Sequence, residues 1–237
     1  MIHPFVVILP SAGSGSRFGD STPKQYLSIN GKFVLDYSLE IFLSFEQCKK
    51  VVIMISQDDS HHSNLMKDDR VTFINGGSNR AESVKLGFDH LTSLEIEENI
   101  LIHDAARPCL RIEEVDEFLK NFYSSQSSGS IFAIPCSDTI KQSSDAKIID
   151  HTVNRSELWL AQTPQIFRFS ELTNAYRLNQ HNLNELTDES SLFDLLNKDI
   201  SLFKSSTSNI KLTYKEDISL AEAIICLLYT SDAADDW

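Results

Sequence analysis

Short apolar runs alternate with longer amphipathic segments along this chain. Continuous apolar runs rich in β-branched residues are typical of buried parallel strands. They lie at 5–9, 51–55 and 100–103, with weaker versions at 71–74, 131–134 and 200–203. Apolar residues at helical spacing predict helices between these strands. The predicted helices cover 33–45, 80–91, 112–122, 170–179 and 188–197, and a last helix begins at about residue 216.

Strands that alternate with helices indicate a mostly parallel sheet, because a parallel connection needs a crossover that usually contains a helix. We therefore expect an α/β fold with a Rossmann-like, mostly parallel sheet and helices on both faces. In such sheets ligands bind at the carboxyl ends of the strands. Candidate chemistry should therefore lie in the loops that follow the predicted strands.

One segment, 137–154, interrupts this alternation. Its flanks, 139–141 and 148–153, contain β-branched residues and enclose a polar centre, which predicts a β-hairpin that projects from the domain. An isolated two-stranded hairpin is marginal in water, so we expect this arm to pack against a second subunit. We expect a single domain, 1–228, that includes this arm. A disordered or non-native tail is expected at 229–237.

Charge and composition exclude several classes of protein. The 237 residues include 34 acidic and 21 basic side chains, and the formal charge of -13 argues against general affinity for a nucleic-acid backbone. No apolar run approaches the ~20 residues of a membrane-spanning helix, so we expect a cytoplasmic protein. The four cysteines lack the paired spacing of a zinc site or a disulfide framework, and we expect them to be reduced.

A loop of small residues, Pro10 to Arg17, directly follows the first predicted strand. The glycines that begin here are spaced G-x-G-x-x-x-G, and no helix is predicted to open there, which argues against a dinucleotide-binding fingerprint. A Walker A loop would end in Gly-Lys-Ser/Thr, whereas Lys24 follows a proline. Two alternatives remain: Arg17 and Lys24 form a cradle for a triphosphate, or the loop is a polar turn with two solvated cations.

A carboxylate, Asp104, directly follows the buried run at 100–103 and should lie at the carboxyl edge of the sheet. It could help to place Mg²⁺ or bind a hydroxyl group, or it could cap a turn and pair with Arg107. We expect the neighbouring His103 to be structural. The pair His61-His62 has no third ligand at suitable spacing, so we expect solvation rather than metal binding.

A glycine pair, Gly76-Gly77, follows another predicted strand and precedes a predicted helix. Two glycines let the backbone approach a flat ligand closely. The same residues also fit a simple turn and helix start in which Ser78 is the cap.

Ordered motifs along the chain carry a family resemblance. The loop from Pro10 to Gln25 resembles the signature loop of the sugar-nucleotidyltransferase-like family. Six further motifs follow in order: Gly76–Val84, His103–Pro108, Thr152–Arg155, Gln162–Gln165, Thr187–Glu189 and Asn209–Thr213. Together they resemble the 2-C-methyl-D-erythritol 4-phosphate cytidylyltransferase family over about residues 5–223. Ser11 and Asn154 depart from the alanine and the acidic residue that are usual in that family.

This resemblance implies a reaction, a metal and an assembly. A phosphate oxygen of 2-C-methyl-D-erythritol 4-phosphate attacks the α-phosphorus of CTP, giving 4-diphosphocytidyl-2-C-methyl-D-erythritol and pyrophosphate for non-mevalonate isoprenoid synthesis. The resemblance also implies Mg²⁺ bound with CTP, with Asp104 as a candidate ligand, and a homodimer joined through the 137–154 arm.

Roles for individual residues are implied in the same way. Arg17 and Lys24 are the catalytic residues that stabilise the transition state. The substrate-binding residues are Asp104, Arg107, Thr139, Arg155, Thr163, Thr187 and Lys211, of which Thr139 and Arg155 act in the neighbouring subunit's site. The nucleotide-binding residues are Ser11, Ala12, Gly13, Gly15, Gly77, Arg80 and Ser83.

Three other functions stay open at this point. A cytidylyltransferase that acts on ribitol 5-phosphate or a related pentitol phosphate would carry nearly the same motifs. A catalytically silent nucleotide-binding protein would be favoured had Arg17, Lys24 or Lys211 been lost, and all three are present. A nicotinamide-dependent oxidoreductase would need the dinucleotide fingerprint that the first loop lacks.

Overall fold

A computed structural model describes residues 1–13, 22–179, 183, 186–194 and 196–232, with side chains described as far as residue 228. The strands are β1 (Phe5–Pro10), β2 (Ser28–Ile29), β3 (Lys32–Phe33), β4 (Cys48–Ile55), β5 (Val71–Asn75), β6 (Asn99–Ile102), β7 (Gly129–Pro135), β8 (Ile140–Gln142), β9 (His151–Val153), β10 (Trp159–Phe167) and β11 (Ile200–Lys204). The α-helices are α1 (Val34–Ser44), α2 (Arg80–Ser93), α3 (Ile112–Ser124), α4 (Phe169–Leu178) and α5 (Glu216–Asp232).

Seven of these strands form one sheet in the order β11-β7-β10-β6-β1-β4-β5. The pairs β1–β4, β1–β6, β4–β5 and β7–β11 are parallel, whereas β10 runs antiparallel to both β6 and β7. The predicted α/β fold with a mostly parallel sheet is therefore confirmed.

Strand β1 lies at the centre of this sheet, and its alternate side chains enter two different cores. Phe5, Val7 and Leu9 pack with apolar residues of α1 and α3, whereas Val6 and Ile8 pack with those of α2 and α4. All five are fully buried. Successive side chains of a strand point to opposite faces, so a continuous apolar run is what a sheet with helices on both faces requires.

Strand β10 was not predicted from the hydrophobic pattern. Its middle contains Pro164 and the polar residues Gln162, Thr163 and Gln165, and proline argues against an interior strand. The pairing of β10 with β7 shifts in register between Ala161 and Gln165, which accommodates this irregular segment. The small β2–β3 hairpin was also missed, although its turn, Asn30-Gly31, is a typical two-residue hairpin sequence.

One prediction about the last third of the chain was wrong, and another extends beyond the described residues. The helix predicted at 188–197 is a short 3₁₀ helix, Glu189–Phe193, which begins where the side chain of Asp188 accepts a hydrogen bond from the Ser191 backbone N–H. Helix α5 continues to Asp232 and so enters the segment 229–237, for which a disordered or non-native tail stays a prediction. Residues 233–237 lie outside the described part of the chain.

The arm forms the predicted hairpin. Strands β8 and β9 pair antiparallel as a separate two-stranded sheet. Ile148 and Ile149, at the end of this hairpin, are 70% and 59% exposed. The arm therefore presents apolar side chains to its surroundings in the single chain.

Two further observations concern the described residues alone. None of their helices combines the length and the apolar character needed to cross a bilayer. Cys48, Cys109, Cys136 and Cys226 take part in no disulfide among these residues.

Candidate active site

A cleft of about 540 Å³ lies at the carboxyl edge of the sheet. Loops after β1, β5 and β6 line it, together with the segment before α5, which agrees with the general position of ligand sites in open α/β sheets. The lining residues are Pro10–Gly13, Lys24, Gln25, Gly77–Arg80, Ser83, Asp104–Ala106, Lys211 and Thr213.

The start of the small-residue loop is held by hydrogen bonds from both sides. The Ser11 backbone N–H donates to Met54 O at 2.8 Å, and the Gln25 side chain donates to Ser11 O at 2.7 Å. Gln25 thus anchors the loop, a role that no sequence pattern indicates. Gly15 and Arg17, predicted to bind nucleotide and to act in catalysis, lie outside the described residues.

The Gly76-Gly77 turn packs tightly against this loop. A Cβ atom at Gly76 would overlap the Cβ of Ala12, so only glycine allows the two loops to approach so closely. The Ser83 hydroxyl accepts the Gly77 backbone N–H at 3.0 Å and donates to Asn79 O at 2.8 Å. The two loops therefore form one closely packed wall of the cleft.

Asn79, not Ser78, caps helix α2. Its side-chain oxygen accepts the Glu82 backbone N–H at 2.9 Å, while Glu82 accepts the backbone N–H of Ser78 at 2.7 Å. In a usual capping box the glutamate accepts the backbone N–H of the capping residue itself, whereas Glu82 accepts that of the preceding residue. The spacing Asn-x-x-Glu is the sequence pattern that indicates such a box.

Asp104 is the centre of the charged groups in the cleft. Its Oδ1 accepts a hydrogen bond from Arg80 Nε at 2.8 Å, and its Oδ2 accepts one from Lys211 Nζ at 2.8 Å. Arg107 Nε lies 3.7 Å from Oδ2. Burial alone would raise the pKa of Asp104, but the three neighbouring cations lower it well below its ordinary value. Asp104 is therefore an ionised carboxylate with both oxygens engaged.

A second, fully buried carboxylate supports this arrangement. Glu189 Oε1 and Oε2 lie 2.9 and 3.0 Å from Arg80 Nη1. Burial would lower the pKa of Arg80, but Glu189 and Asp104 raise it above its ordinary value. One guanidinium group thus joins two carboxylates, and it fixes the position of Asp104 relative to α2.

Lys24 also lines this cleft. Its ammonium group donates to Leu212 O at 2.8 Å, directly beside Lys211 in the chain. The Leu212 backbone N–H in turn donates to Ala106 O at 2.8 Å. Residues from three distant parts of the sequence therefore place two lysines and one carboxylate around a single cleft.

Comparison with known proteins agrees with this geometry. The sequence model of the family described as "IspD: 2-C-methyl-D-erythritol 4-phosphate cytidylyltransferase" matches residues 5–226. The chain belongs to the IspD family. A 2-C-methyl-D-erythritol 4-phosphate cytidylyltransferase from Haemophilus ducreyi is 39% identical over 94% of this chain and 96% of its own. One from Vibrio atlanticus is 36% identical over 93% and 95%.

Solved structures of IspD proteins have the same fold. The IspD of Francisella tularensis superposes with a TM-score of 0.80 at 31% identity, covering 93% of this chain and 99% of its own. The N-terminal loop, the Gly76-Gly77 turn and the Asp104 loop all fall within the residues that the IspD sequence model matches.

The remaining residues expected from the IspD resemblance lie in three different environments. Arg107 and Thr163 are buried behind Asp104, where Arg107 Nη1 donates to Asn209 O at 2.7 Å. Thr187 is exposed beside the start of the 3₁₀ helix. Thr139, on the arm, and Arg155, directly after it, are exposed, and neither is among the described residues that line the cleft.

The described residues do not fit a metal ion held by Asp104. A hydrogen bond from a cation occupies each of its carboxylate oxygens, Oδ1 from Arg80 and Oδ2 from Lys211. Across the described ranges, no group of three or more His, Cys, Asp or Glu side chains could hold a metal. Asp104 is thus better suited to pairing with cations and hydroxyl groups than to metal ligation.

Proposed function

We propose that this protein transfers CMP from CTP to 2-C-methyl-D-erythritol 4-phosphate, giving 4-diphosphocytidyl-2-C-methyl-D-erythritol and pyrophosphate. One observation carries the proposal for this member of the IspD family. The cleft joins the two small-residue loops to Lys24, Lys211 and Asp104, so it offers a place for a nucleotide next to cations for phosphate groups.

The chemistry needs positioning and charge more than a covalent nucleophile. A phosphate monoester is already anionic near neutral pH, so its oxygen can attack the α-phosphorus once two polyanions are brought together. Negative charge then shifts onto the α-phosphoryl oxygens and the leaving pyrophosphate. Lys24, with Arg17, supplies the positive charge that stabilises this transition state.

The acceptor lies at Lys211 and Asp104 in this proposal. Lys211 is partly exposed, with its ammonium group 2.8 Å from Asp104, so an incoming phosphate can compete for it. Asp104 then keeps its contact with Arg80 and has one oxygen free to accept a hydroxyl group of the sugar alcohol. Arg107, immediately behind, adds positive charge without reaching the surface.

Magnesium enters as part of the nucleotide substrate, Mg·CTP. Mg²⁺ typically keeps several waters and is bound by substrate phosphates with few protein carboxylates. The engaged oxygens of Asp104 support this assignment over a protein-held ion.

A two-fold homodimer completes each site. The arm exposes Ile148 and Ile149, and an isolated hairpin of this kind gains stability only when it packs against another surface. In the dimer, Thr139 of the arm and Arg155, directly after it, reach the acceptor phosphate in the neighbouring subunit's cleft. The exposure of both side chains is compatible with such a role.

A pyrophosphate-release assay with Mg·CTP tests the proposed function. It is run in parallel with 2-C-methyl-D-erythritol 4-phosphate and ribitol 5-phosphate as acceptors, and with no acceptor as a blank. We expect release with the methylerythritol phosphate at a clearly higher kcat/KM. A preference for ribitol 5-phosphate would show that the proposed acceptor is wrong. If neither acceptor releases pyrophosphate, the proposed activity is wrong.

A further inference from the structure

His103 has polar contacts that the proposed reaction does not use. The side chain is fully buried, and the ring of Phe42 packs edge-on against it at 5.4 Å. Its Nδ1 lies 3.1 Å from the Thr163 hydroxyl, and its Nε2 lies 3.3 Å from the backbone oxygen of Arg107. Both ring nitrogens therefore have a polar partner inside the protein.

These partners select one form of the ring. A backbone carbonyl can only accept, so Nε2 must carry the proton that it donates to Arg107 O. The Ser38 hydroxyl approaches the same carbonyl at 3.5 Å and does not alter this, because a carbonyl oxygen has two lone pairs. Complete burial disfavours the imidazolium ion, so Nδ1 is left as an acceptor.

The roles of the Thr163 hydroxyl as donor and acceptor are then determined. It accepts the Asp104 backbone N–H at 2.9 Å and donates its own proton to His103 Nδ1. The Arg107 backbone N–H donates to Asp104 O at 3.1 Å and closes the turn. The hydrogen bonds thus run from Asp104 through Thr163 to His103, and from His103 to Arg107.

We propose that His103 and Thr163 are positioning residues for Asp104: the neutral ring of His103, protonated at Nε2, orients the Thr163 hydroxyl, which fixes the backbone from which the Asp104 carboxylate extends. The inference rests on the proposed function of Asp104 in acceptor binding. In this proposal Thr163 positions Asp104 and does not contact the substrate itself, in contrast to what the resemblance implies. Its side chain is only 3% exposed, and its hydroxyl already donates and accepts inside the protein.

This contact differs from the others that hold Asp104. Arg80 and Lys211 bind the carboxylate from the cleft, where an incoming phosphate group competes for Lys211. Thr163 binds the backbone of Asp104 from the buried side, out of reach of any ligand. It can therefore keep Asp104 in place while its carboxylate exchanges partners during the reaction.

The first test is the form of the His103 ring in the full-length protein. Two-bond ¹H–¹⁵N correlation spectra of protein labelled with ¹⁵N-histidine, recorded near neutral pH, identify which ring nitrogen is protonated. The His103 signals are assigned by their loss in His103→Gln. We expect a neutral ring with the proton on Nε2. An imidazolium ion, or a proton on Nδ1, would overturn the proposal whether or not the protein is active.

The second test compares Thr163→Val, which removes the hydroxyl at nearly constant shape, with Thr163→Ser, which keeps it. We expect Thr163→Val to lower kcat/KM for the acceptor by about 10- to 100-fold, because misplacement of a substrate-positioning group has effects of this size. Thr163→Ser should recover most of the loss. Calorimetric titration with CTP gives the fraction of competent sites and should show an unchanged Kd in both variants.

The outcomes separate the possible failures. Equal activity of the Val and Ser variants would overturn the positioning role. If the activity of Thr163→Val falls only as far as its fraction of CTP-competent sites, the variant loses folded protein and not positioning. That result would also overturn the positioning role. Inactivity of the wild-type protein would reject the proposed function instead, and it would leave the spectroscopic result standing.

Discussion

The buried pair of Arg80 and Glu189 gives a prediction whose size follows from the structure. We consider Glu189→Gln, which keeps the shape of the side chain and removes its charge. Glu189 is fully buried, and the Arg80 side chain is 26% exposed. In the variant, Arg80 keeps its charge but loses one of its two carboxylate partners, and the new amide group brings N–H donors next to a guanidinium that can only donate.

The expected loss of stability is about 3 kcal/mol. Removing one partner of a buried ion pair typically costs ~3–5 kcal/mol, because the other charge stays buried without compensation. The lower end applies, since Arg80 is partly exposed and keeps its bond to Asp104 at 2.8 Å. In a chain of this length, such a loss lowers Tm by roughly 6–12 °C.

Urea unfolding followed by far-ultraviolet circular dichroism measures this change at a fixed protein concentration. Glu114→Gln is the matched control, because Glu114 is a partly buried carboxylate remote from the cleft that accepts the Ser206 backbone N–H at 2.8 Å. We expect the control to lose about 1 kcal/mol or less. The double variant Glu189→Gln with Arg80→Met should lose less than the sum of its single variants, since the isolated charge is removed.

If Glu189→Gln unfolds at the same urea concentration as Glu114→Gln, the buried pair does not stabilise the fold as the distances indicate. Strictly additive losses in the double variant would likewise show that the two side chains are not energetically coupled.

Three further predictions concern catalysis, pH and assembly. Lys24→Ala and Arg17→Ala should each lower kcat by ~100-fold or more with a smaller change in the KM for CTP, because stabilisation confined to the transition state is measured in kcat. A raised KM at unchanged kcat would make them binding groups. Burial lowers the pKa of His103 to about 4, despite the adjacent carboxylate of Asp104. The unfolded chain therefore binds this proton first, so stability should fall as pH drops from about 6.5 to 4, and His103→Asn should lessen this dependence in urea unfolding curves. An unchanged pH dependence would contradict the assignment. Heterodimers of Arg155→Ala with Lys24→Ala should regain one intact site in steady-state assays, whereas verified heterodimers without activity would reject the shared site.

The elements that the sequence predicted well are those with one dominant signal. Strand β1 is a continuous apolar run with both faces buried, and α2 combines a glycine turn with apolar residues at helical spacing. Strand β10 lacked such a signal, because Pro164 and polar side chains lie where the sheet and the cleft meet. Tertiary contacts with β6 and β7 hold that segment in the sheet, and no local pattern reveals them.

Some parts of the candidate site were likewise predictable from sequence motifs, and others depend on contacts between distant residues. Lys24, Asp104 and Lys211 stand in motifs that the family resemblance carries, and all three line the cleft. The partnership of Arg80 with Glu189 joins residues 109 positions apart, and their spacing in the chain carries no information about it. The resemblance implies that Thr163 binds the substrate, and the fold adds that its buried hydroxyl accepts the Asp104 backbone N–H, a contact that spacing in the chain does not indicate.

Transfer of labelled phosphorus tests the central claim most directly. Protein is incubated with Mg²⁺, CTP labelled at the α-phosphate and equal concentrations of 2-C-methyl-D-erythritol 4-phosphate and ribitol 5-phosphate, and the products are separated and identified by mass. We predict that the label leaves CTP and appears in 4-diphosphocytidyl-2-C-methyl-D-erythritol, with pyrophosphate formed in equal amount. Label that stays in CTP, or that appears mainly in the ribitol product, would contradict the account.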